Sequence, residues 1–322
     1  MLNIVFMGTP DFAKESLKEL YNEKHNILGV VTKPDRPKGR GMKFMQSPVK
    51  QYAIEQGLDV YQPEKIKGNE QFINKMKELK PDVICVVAYG KILPKEILDI
   101  PKLGCINLHG SLLPKYRGAA PIQWSIINGD SETGVTTMYM DIGMDTGDMI
   151  LKRKMIIDKD ETTGELWDRM SKIGAQLLAE TLKKIEEGEA PRIKQGKDFS
   201  YAPMIDKSIA KIDWTKMSVK EIKNLVRGLN PIMGAYSILN GKKIKFWKVE
   251  TINNVNDKYI NDKSIEEAQV GSIIYIDDKI GLYVKAKDGI IKLIEVQAEN
   301  SKKMNICEWI RGSRVKVGEK FM

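Results

Sequence analysis

Asn107-Leu108-His109-Gly110-Ser111 places a carboxamide and an imidazole two residues apart at the end of a short apolar run. If that run is a strand, both side chains project to the same side of a sheet. The pair suits acyl chemistry. The amide N–H can donate to an oxyanion developing on a carbonyl, and the imidazole can stabilise charge or carry a proton. A histidine in such a role needs a partner that sets its tautomer and charge. Two carboxylates, Asp141 and Asp145, stand in the turn-rich stretch Met140-Asp141-Ile142-Gly143-Met144-Asp145-Thr146-Gly147-Asp148. No serine or cysteine has the G-x-S-x-G setting of a nucleophile elbow, so a nucleophilic triad is not expected. The second of the chain's two histidines, His25, lies in the polar connection Lys24-His25-Asn26 and reads as a surface residue. One histidine and scattered carboxylates do not supply a metal-ligand set, and no metal is expected.

Two other stretches bear on ligands. Gly8-Thr9-Pro10-Asp11-Phe12 follows the first apolar run, where a dinucleotide fingerprint would need G-x-G-x-x-G. Only Gly8 is present, and Pro10 lacks the N–H that a phosphate would want, so a nicotinamide cofactor is disfavoured. The segment from Lys33 to Lys50 carries the cations Lys33, Arg36, Lys38, Arg40, Lys43 and Lys50, with Asp35 as the only acid. Pro34, Pro37, Gly39 and Gly41 break regular structure, which predicts an irregular arm able to contact phosphates; a solvated surface loop is the plainer alternative. The apolar pair Phe44-Met45 on it wants something to touch. Net charge is +9, and from Lys207 onward 22 basic residues face 14 acidic ones, so nearly all the excess lies in the last third. That asymmetry is the footprint of a polyanion partner, with a membrane surface as the lesser alternative.

The elements that must position these residues follow from the apolar patterning. Asn3–Met7, Ile27–Thr32, Asp82–Val87, Gly104–Leu108 and Val135–Met140 are predicted strands, and helical patterns separate the early ones. Continuous apolar strands alternating with helices predict a parallel α/β sheet covered on both faces, with ligands at the carboxyl ends of the strands. A long helix is predicted from Gly164 to Glu187, opened by the capping box Thr162-x-x-Glu165 and stopped at Gly188. Residues 190–208 lose periodicity and read as a linker, which divides the chain into 1–189 and 209–322. A helix capped by Ser218 and Glu221 comes next, with Lys220, Lys223 and Arg227 at helical spacing. Five strand-like runs follow (Ala235–Leu239, Ile244–Val249, Gly271–Tyr275, Gly281–Lys285, Ile290–Val296), and their spacing fits a small OB-like β-barrel. Polar residues 253–267 read as a loop.

Several motifs together resemble the folate-dependent formyltransferases, and among them the methionyl-tRNA formyltransferase family. They are Gly8–Ala13, Lys33–Gly41, Asn107–Pro114, Arg117-Gly118-Ala119-Ala120-Pro121-Ile122-Gln123, Met140–Asp148, Ile212-Asp213-Trp214 and Arg227-Gly228-Leu229-Asn230-Pro231. The Asn-x-His and aspartate motifs are common to the whole group; the basic arm and basic barrel single out the tRNA branch. Ile232-Met233 departs from the family, which often has tryptophan and proline there. The resemblance implies a Rossmann-like formyltransferase domain followed by an OB-like barrel. It implies that Asn107, His109 and Asp145 form the catalytic trio, and that 10-formyltetrahydrofolate is the donor. The reduced folate would contact Ser111, Leu112, Leu113, Pro114, Met140 and Asp141, and Ala88, Tyr89, Gly90, Lys91, Ile92 and Leu93 would wall its pterin pocket. The acceptor would be methionyl initiator tRNA, held by the arm and by Lys220, Lys223, Arg227, Lys242, Lys243, Lys245, Lys248, Lys302 and Lys303.

Alternatives from the same motifs are a 10-formyltetrahydrofolate hydrolase or a nucleotide-sugar formyltransferase, in which the basic arm has no obvious task. A further one is a non-catalytic RNA-binding protein, which the intact Asn107, His109 and Asp145 set argues against. Three cysteines without C-x-x-C spacing, no apolar run long enough to span a bilayer and no signal-peptide pattern at the N-terminus predict a cytoplasmic location. No apolar heptad stands out, so a monomer is expected.

Overall fold

The structure is a computed structural model that describes residues 1–38, 43–252 and 267–322, apart from the side chains of Lys38 and Lys43. It divides into two compact units. The first comprises residues 1–122, 132–156 and 166–203; the second comprises 123–131, 157–165 and 204–322.

The first unit is built on a seven-stranded sheet. Its strands are β1 (Asn3–Gly8), β2 (Asn26–Val31), β5 (Val60–Tyr61), β6 (Val83–Val87), β7 (Cys105–His109), β8 (Glu132–Tyr139) and β9 (Met149–Ile156), in the order β5-β2-β1-β6-β7-β8-β9. The five strands from β5 to β7 are parallel. The sheet is not parallel throughout, as the patterning predicted, because β8 and β9 are added antiparallel. β9 carries the exposed run Lys152-Arg153-Lys154 between buried ends, which hides it from an apolar-run search. Strand order reverses between β1 and β6: the chain runs outward through β2 to β5, then returns to β6 and β7. In an open α/β sheet that reversal leaves a crevice at the strands' carboxyl ends. Ala88 sits there at the end of β6, next to β7, and Gly8-Thr9 at the end of β1, one strand further.

Helices α1 (Asp11–Asn22), α2 (Pro48–Glu55), α3 (Glu70–Leu79), α4 (Lys95–Leu98) and, from residue 166 on, α6 (Thr163–Glu187) belong to this unit, while α5 (Pro121–Ile127) falls mostly in the second. β1 and β6 are buried almost end to end, as strands covered on both faces must be. Helix α6 begins at the expected capping box. Glu165 accepts from the backbone N–H and hydroxyl of Thr162, and its own N–H donates back to that hydroxyl.

The second unit holds α7 (Val219–Gly228), opened by the reciprocal Ser218–Glu221 box, and an antiparallel sheet. Its strands are β10 (Ala235–Leu239), β11 (Lys242–Ile252), β12 (Ile273–Asp277), β13 (Gly281–Lys285) and β14 (Ile290–Ala298), in the order β10-β11-β14-β13-β12. A short β15 (Met304–Asn305) pairs with β14 and leads into α8 (Ile306–Ser313). The last residues bridge the two sheet edges. Phe321 N–H donates to the Gly271 carbonyl just ahead of β12, and Met322 exchanges two backbone hydrogen bonds with Ile238 of β10. That seam completes the barrel. The polar loop expected at 253–267 lies almost wholly outside the described residues.

Inside the barrel, Phe246 lies edge-on to Trp214 (6.1 Å) and to Phe321 (5.4 Å), so one ring of β11 ties the entry segment, the barrel wall and the closing seam. Phe246→Ala is expected to destabilise this unit by about 3–5 kcal/mol, measured by denaturant unfolding followed through tryptophan fluorescence. A loss below about 1 kcal/mol would mean that the seam is held some other way.

Candidate active site

His109 is the last residue of β7, and Asn107 lies two positions before it on the same side of the strand. Both β7 neighbours fix the backbone here: Asn107 stands opposite Val86 of β6 and Met138 of β8. The imidazole is buried, while Asn107 is half-exposed and its carboxamide makes no hydrogen bond with any described residue. A partly exposed, uncommitted amide at a sheet's carboxyl edge is available to a ligand.

The imidazole is fixed at both nitrogens. Nε2 lies 2.8 Å from the Tyr116 carbonyl, and a carbonyl only accepts, so Nε2 carries a proton. Nδ1 faces the Asp145 carboxylate at 3.7 Å, an ion-pair distance but too long for a direct hydrogen bond. The same Asp145 oxygen accepts a 2.8 Å hydrogen bond from the Gly118 N–H. Asp145 thus has a fixed backbone donor on one side and the ring on the other. Asp141, the other carboxylate the sequence offered, is exposed and closes its own turn, accepting from the Gly143 N–H and the Thr146 hydroxyl. The structure therefore brings Asn107, His109 and Asp145 to one strand end and leaves Asp141 as a turn residue.

The expected folate segments divide in the same way. Thr136 of β8 clamps Ser111–Pro114: its hydroxyl donates to the Ser111 carbonyl at 2.7 Å and accepts from the Leu113 N–H at 3.1 Å. Ser111 turns its own hydroxyl to the Lys115 carbonyl, and Leu113 packs with Met138 and Met149. Lys152 donates to the Leu113 carbonyl, and burial holds its ammonium below the ordinary lysine value. Leu112, Pro114 and Met140 are half-buried. In the second segment Tyr89 and Leu93 belong to the core with Phe72, Met76 and Ile97, so their side chains do not wall a pocket. Lys91 is tied to the carbonyls of Pro63 and Glu64. Ala88, Gly90 and Ile92 are exposed, and both Ala88 (φ 44°) and Gly90 (φ 70°) have left-handed backbone. What this segment can offer a flat ring is its turned backbone at 88–90, beside the free Asn107 amide. The Tyr89 hydroxyl is buried in that core without a partner among the described residues, and burial pushes it up to about 12.

Residues 191–203, predicted as part of a linker, lie against the first unit as a strap. Ile193 exchanges two backbone hydrogen bonds with Met149, and the Ser200 carbonyl and Ala202 N–H pair with Arg117. The Ser200 hydroxyl accepts from the Tyr116 N–H. Gln195 donates to the carbonyls of Asp145 (2.7 Å) and Gly147 (2.9 Å) and accepts from Arg117 Nε (3.0 Å). Nothing local in the sequence marks Gln195, because it works across a gap of 50 residues. Among the described residues, no group of three His, Cys, Asp or Glu side chains could hold a metal ion, and no helix is long and apolar enough to cross a membrane.

Known proteins align with this geometry. Residues 2–182 match the Formyl transferase family model, and residues 204–314 match that of the Formyl transferase C-terminal domain. A methionyl-tRNA formyltransferase of Clostridioides difficile is 53% identical over 98% of this chain and 99% of its own length. One of Ruminiclostridium cellulolyticum is 48% identical over 99% of each. The chain belongs to the methionyl-tRNA formyltransferase family. Solved structures carry the same fold at low identity. A sugar 3N-formyltransferase, WlaRD, solved in the presence of dTDP and 5-N-formyl-THF, gives a TM-score of 0.65 at 21% identity, covering 94% of this chain and 99% of that one. HypX from Aquifex aeolicus, in complex with tetrahydrofolic acid, gives 0.64 at 16%, and this chain spans 47% of its length while 96% of this chain is covered.

For a methionyl-tRNA formyltransferase the basic residues matter next, and the structure sorts them. Within the described part of the arm, β3 (Arg36–Lys38) pairs antiparallel with β4 (Lys43–Met45), with Phe44 and Met45 exposed. Pro37 sits opposite Phe44 on a two-stranded ribbon, where a missing N–H is tolerated. Arg40 and the side chains of Lys38 and Lys43 lie outside the described residues. Lys33 is half-buried, with its ammonium against Gly90, and Arg36 is exposed, 3.4 Å from Glu64. Lys50 does not point to solvent. It lies on α2 and braces the base of the arm through Asp35 (2.6 Å) and Gln62 (2.7 Å). Arg227 is buried, donating to Asn224 and to the carbonyls of Asp158 and Glu161, so it is withdrawn from any phosphate. Lys223 pairs with Asp160 at 2.5 Å, and Lys245 donates to the Met233 carbonyl. Lys303 pairs with Glu295, and Lys243 lies 4.1 Å over the Tyr236 ring. Lys220, Lys242, Lys248 and Lys302 are exposed.

Hydrogen bonds from Lys50 and then Gln62 hold the Asp35 carboxyl below the usual carboxylate value. A carboxyl depressed in the folded state adds stability that is fully present above the unfolded value of about 3.9 and is lost as pH falls through the lower folded one. The melting-temperature deficit of Asp35→Asn is therefore expected to shrink as pH drops from about 6 to 2. A deficit constant with pH would show that the Lys50 bridge contributes nothing.

Proposed function

We propose that this chain transfers the formyl group of 10-formyltetrahydrofolate to the free α-amino group of methionyl initiator tRNA, giving N-formylmethionyl-tRNA. The observation that carries the reading is the trio at the end of β7: a buried His109 between the Tyr116 carbonyl and the Asp145 carboxylate, with the uncommitted Asn107 amide two residues away. The full-length likeness to methionyl-tRNA formyltransferases supplies the acceptor class. Catalysis is assigned to residues 1–189 with the strap that follows, and nucleic-acid binding to the barrel of 209–322. We place the enzyme in the cytoplasm, acting as a monomer.

The 88–90 turn and Ser111–Pro114 hold the reduced folate, which supplies the activated formyl carbon. Asn107 donates to the formyl oxygen as the neutral amine attacks. His109, paired with Asp145, places positive charge beside the same oxygen. Asp145 keeps that charge on the ring and receives the proton of the attacking amine, directly or through one water; the tetrahedral intermediate then collapses with cleavage of the bond from the formyl carbon to the folate N10, which takes up that proton as tetrahydrofolate leaves. The 3.7 Å gap between Nδ1 and the carboxylate is the kind of loose contact that tightens when substrate enters.

Incubation with formyl-tetrahydrofolate and, in turn, charged initiator tRNA, charged elongator tRNA, a nucleotide amino sugar and water tests the assignment. Formyl is expected on the initiator tRNA; a formylated sugar, or free formate without acceptor, would point to the two related activities instead. Asn107→Ala and Asp145→Ala are each expected to lower turnover ~100–1000-fold with unchanged circular dichroism. Near-normal turnover in either removes it from the mechanism.

Affinity for the tRNA is expected to fall steeply between about 50 and 200 mM salt. Replacing an exposed cation such as Lys248 that meets a phosphate should reduce the slope of log affinity against log salt by about 1. Arg227→Met should leave the slope unchanged, because that guanidinium is internally bonded. A slope that drops with Arg227→Met would put it back among the phosphate contacts.

A further inference from the structure

Gln195 makes three hydrogen bonds with one amide, and all three converge on the surroundings of Asp145. Its NH₂ donates to the carbonyls of Asp145 and Gly147 on one loop, and its oxygen accepts from Arg117 Nε on the other. The orientation of the amide is fixed by its partners, since two carbonyls accept only and a guanidinium donates only. The loop it bridges to holds Tyr116, which accepts from His109, and Gly118, whose N–H meets the Asp145 carboxylate. Gln195 therefore sets the separation of the two loops between which the His109–Asp145 contact forms. Asp145 needs such support. Its φ of 54° is left-handed, a region costly for a residue with a Cβ and kept only where neighbours over-determine it. The post itself is anchored on both sides, by the Ile193–Met149 backbone pair and by Ser200 and Ala202 on Arg117.

We propose that Gln195 is a positioning residue that holds Asp145 in line with His109, so that the strap forms part of the catalytic apparatus. This rests on the catalytic role given to Asp145 above. Gln195 touches no reacting atom; it acts through the loop backbone. Two variants separate this from a merely structural brace. Gln195→Leu removes all three hydrogen bonds. Gln195→Glu has the same shape and keeps the acceptor for Arg117, but sets a carboxylate oxygen against two carbonyls.

Kinetics of both variants, of Asp145→Asn and of the Gln195→Leu/Asp145→Asn double variant decide the matter. Each Gln195 variant is expected to lower kcat ~10–100-fold, with KM for folate and for charged tRNA within about threefold of the unsubstituted enzyme. In the Asp145→Asn background, the same Gln195 change should cost less than about threefold more. Losses that multiply in the double variant, a rise in KM with kcat unchanged, or unaltered kinetics overturn the proposal. Should Gln195→Leu fail to fold, the isosteric Gln195→Glu carries the same comparison. A normal Asp145→Asn enzyme would instead overturn the catalytic assignment and leave Gln195 nothing to position. A crippled Asp145→Asn enzyme with multiplying losses overturns the Gln195 proposal alone.

Discussion

An imidazole whose Nε2 is committed to a backbone carbonyl has one nitrogen left, and in this protein that nitrogen looks at a carboxylate. The site depends on holding that carboxylate there. A buried ring facing a partly exposed carboxylate keeps its orientation best when the remaining polar atoms of both are also met. Gly118 donates to the same Asp145 oxygen, and the Tyr116 carbonyl meets Nε2. Both come from one loop, so a displacement of residues 116–118 disturbs the ring and the acid together. Gly147 cannot yield much, because a Cβ there would lie 1.8 Å from the Tyr139 carbonyl. The loop is packed against the end of β8, and Asp145 takes up the remaining backbone freedom at a positive φ.

Sheet topology explains why the trio sits where it does. Parallel pairing from β5 to β7 brings several strand ends to one edge, and the reversal between β1 and β6 leaves a crevice there. Adding β8 and β9 antiparallel changes what lies beyond β7. β8 runs back alongside it, so Thr136 stands opposite His109 and its hydroxyl clamps Ser111–Leu113. A parallel neighbour would have needed a crossover and could not have placed the Met140–Asp148 turn directly beyond the Asn107–Met138 pair.

Much of this was legible in the residues themselves. Strand Asn3–Gly8, the Thr162–Glu165 and Ser218–Glu221 caps and the five barrel strands are set by local pattern, and they stand within a few residues of their expected limits. Asn107 and His109 were legible because two residues on one strand must share a face. What failed to show was whatever depends on partners far along the chain. β9 looks polar because its middle faces outward. The β3–β4 pair runs through Pro37, and its pairing outweighs that local breaker. Arg227 shares a helical face with Lys220 and Lys223, and spacing cannot reveal that the carbonyls of residues 158 and 161 await it. The strap at 191–203 has no periodicity because it bonds at scattered points: Ile193 to Met149 of β9, Gln195 to the carbonyls of residues 145 and 147, and Ser200 and Ala202 to Arg117.

The fate of the basic residues shows why a charge count locates a partner's side of the chain without naming its contacts. A lysine with an internal acceptor, such as Lys50, Lys223 or Lys245, has exchanged part of its hydration for fixed geometry. It still contributes to the long-range potential, but moving it to a phosphate would leave a partner unmet. An exposed lysine such as Lys242 or Lys248 keeps its water and its rotamer freedom, and counterion release is then the main gain when it meets a polyanion. Both kinds attract RNA at a distance, while only the second can close on it cheaply. Recognition of one tRNA among many cannot come from such diffuse contacts alone, because phosphates are the same on all of them. Discrimination therefore needs contacts of fixed geometry beside these diffuse ones.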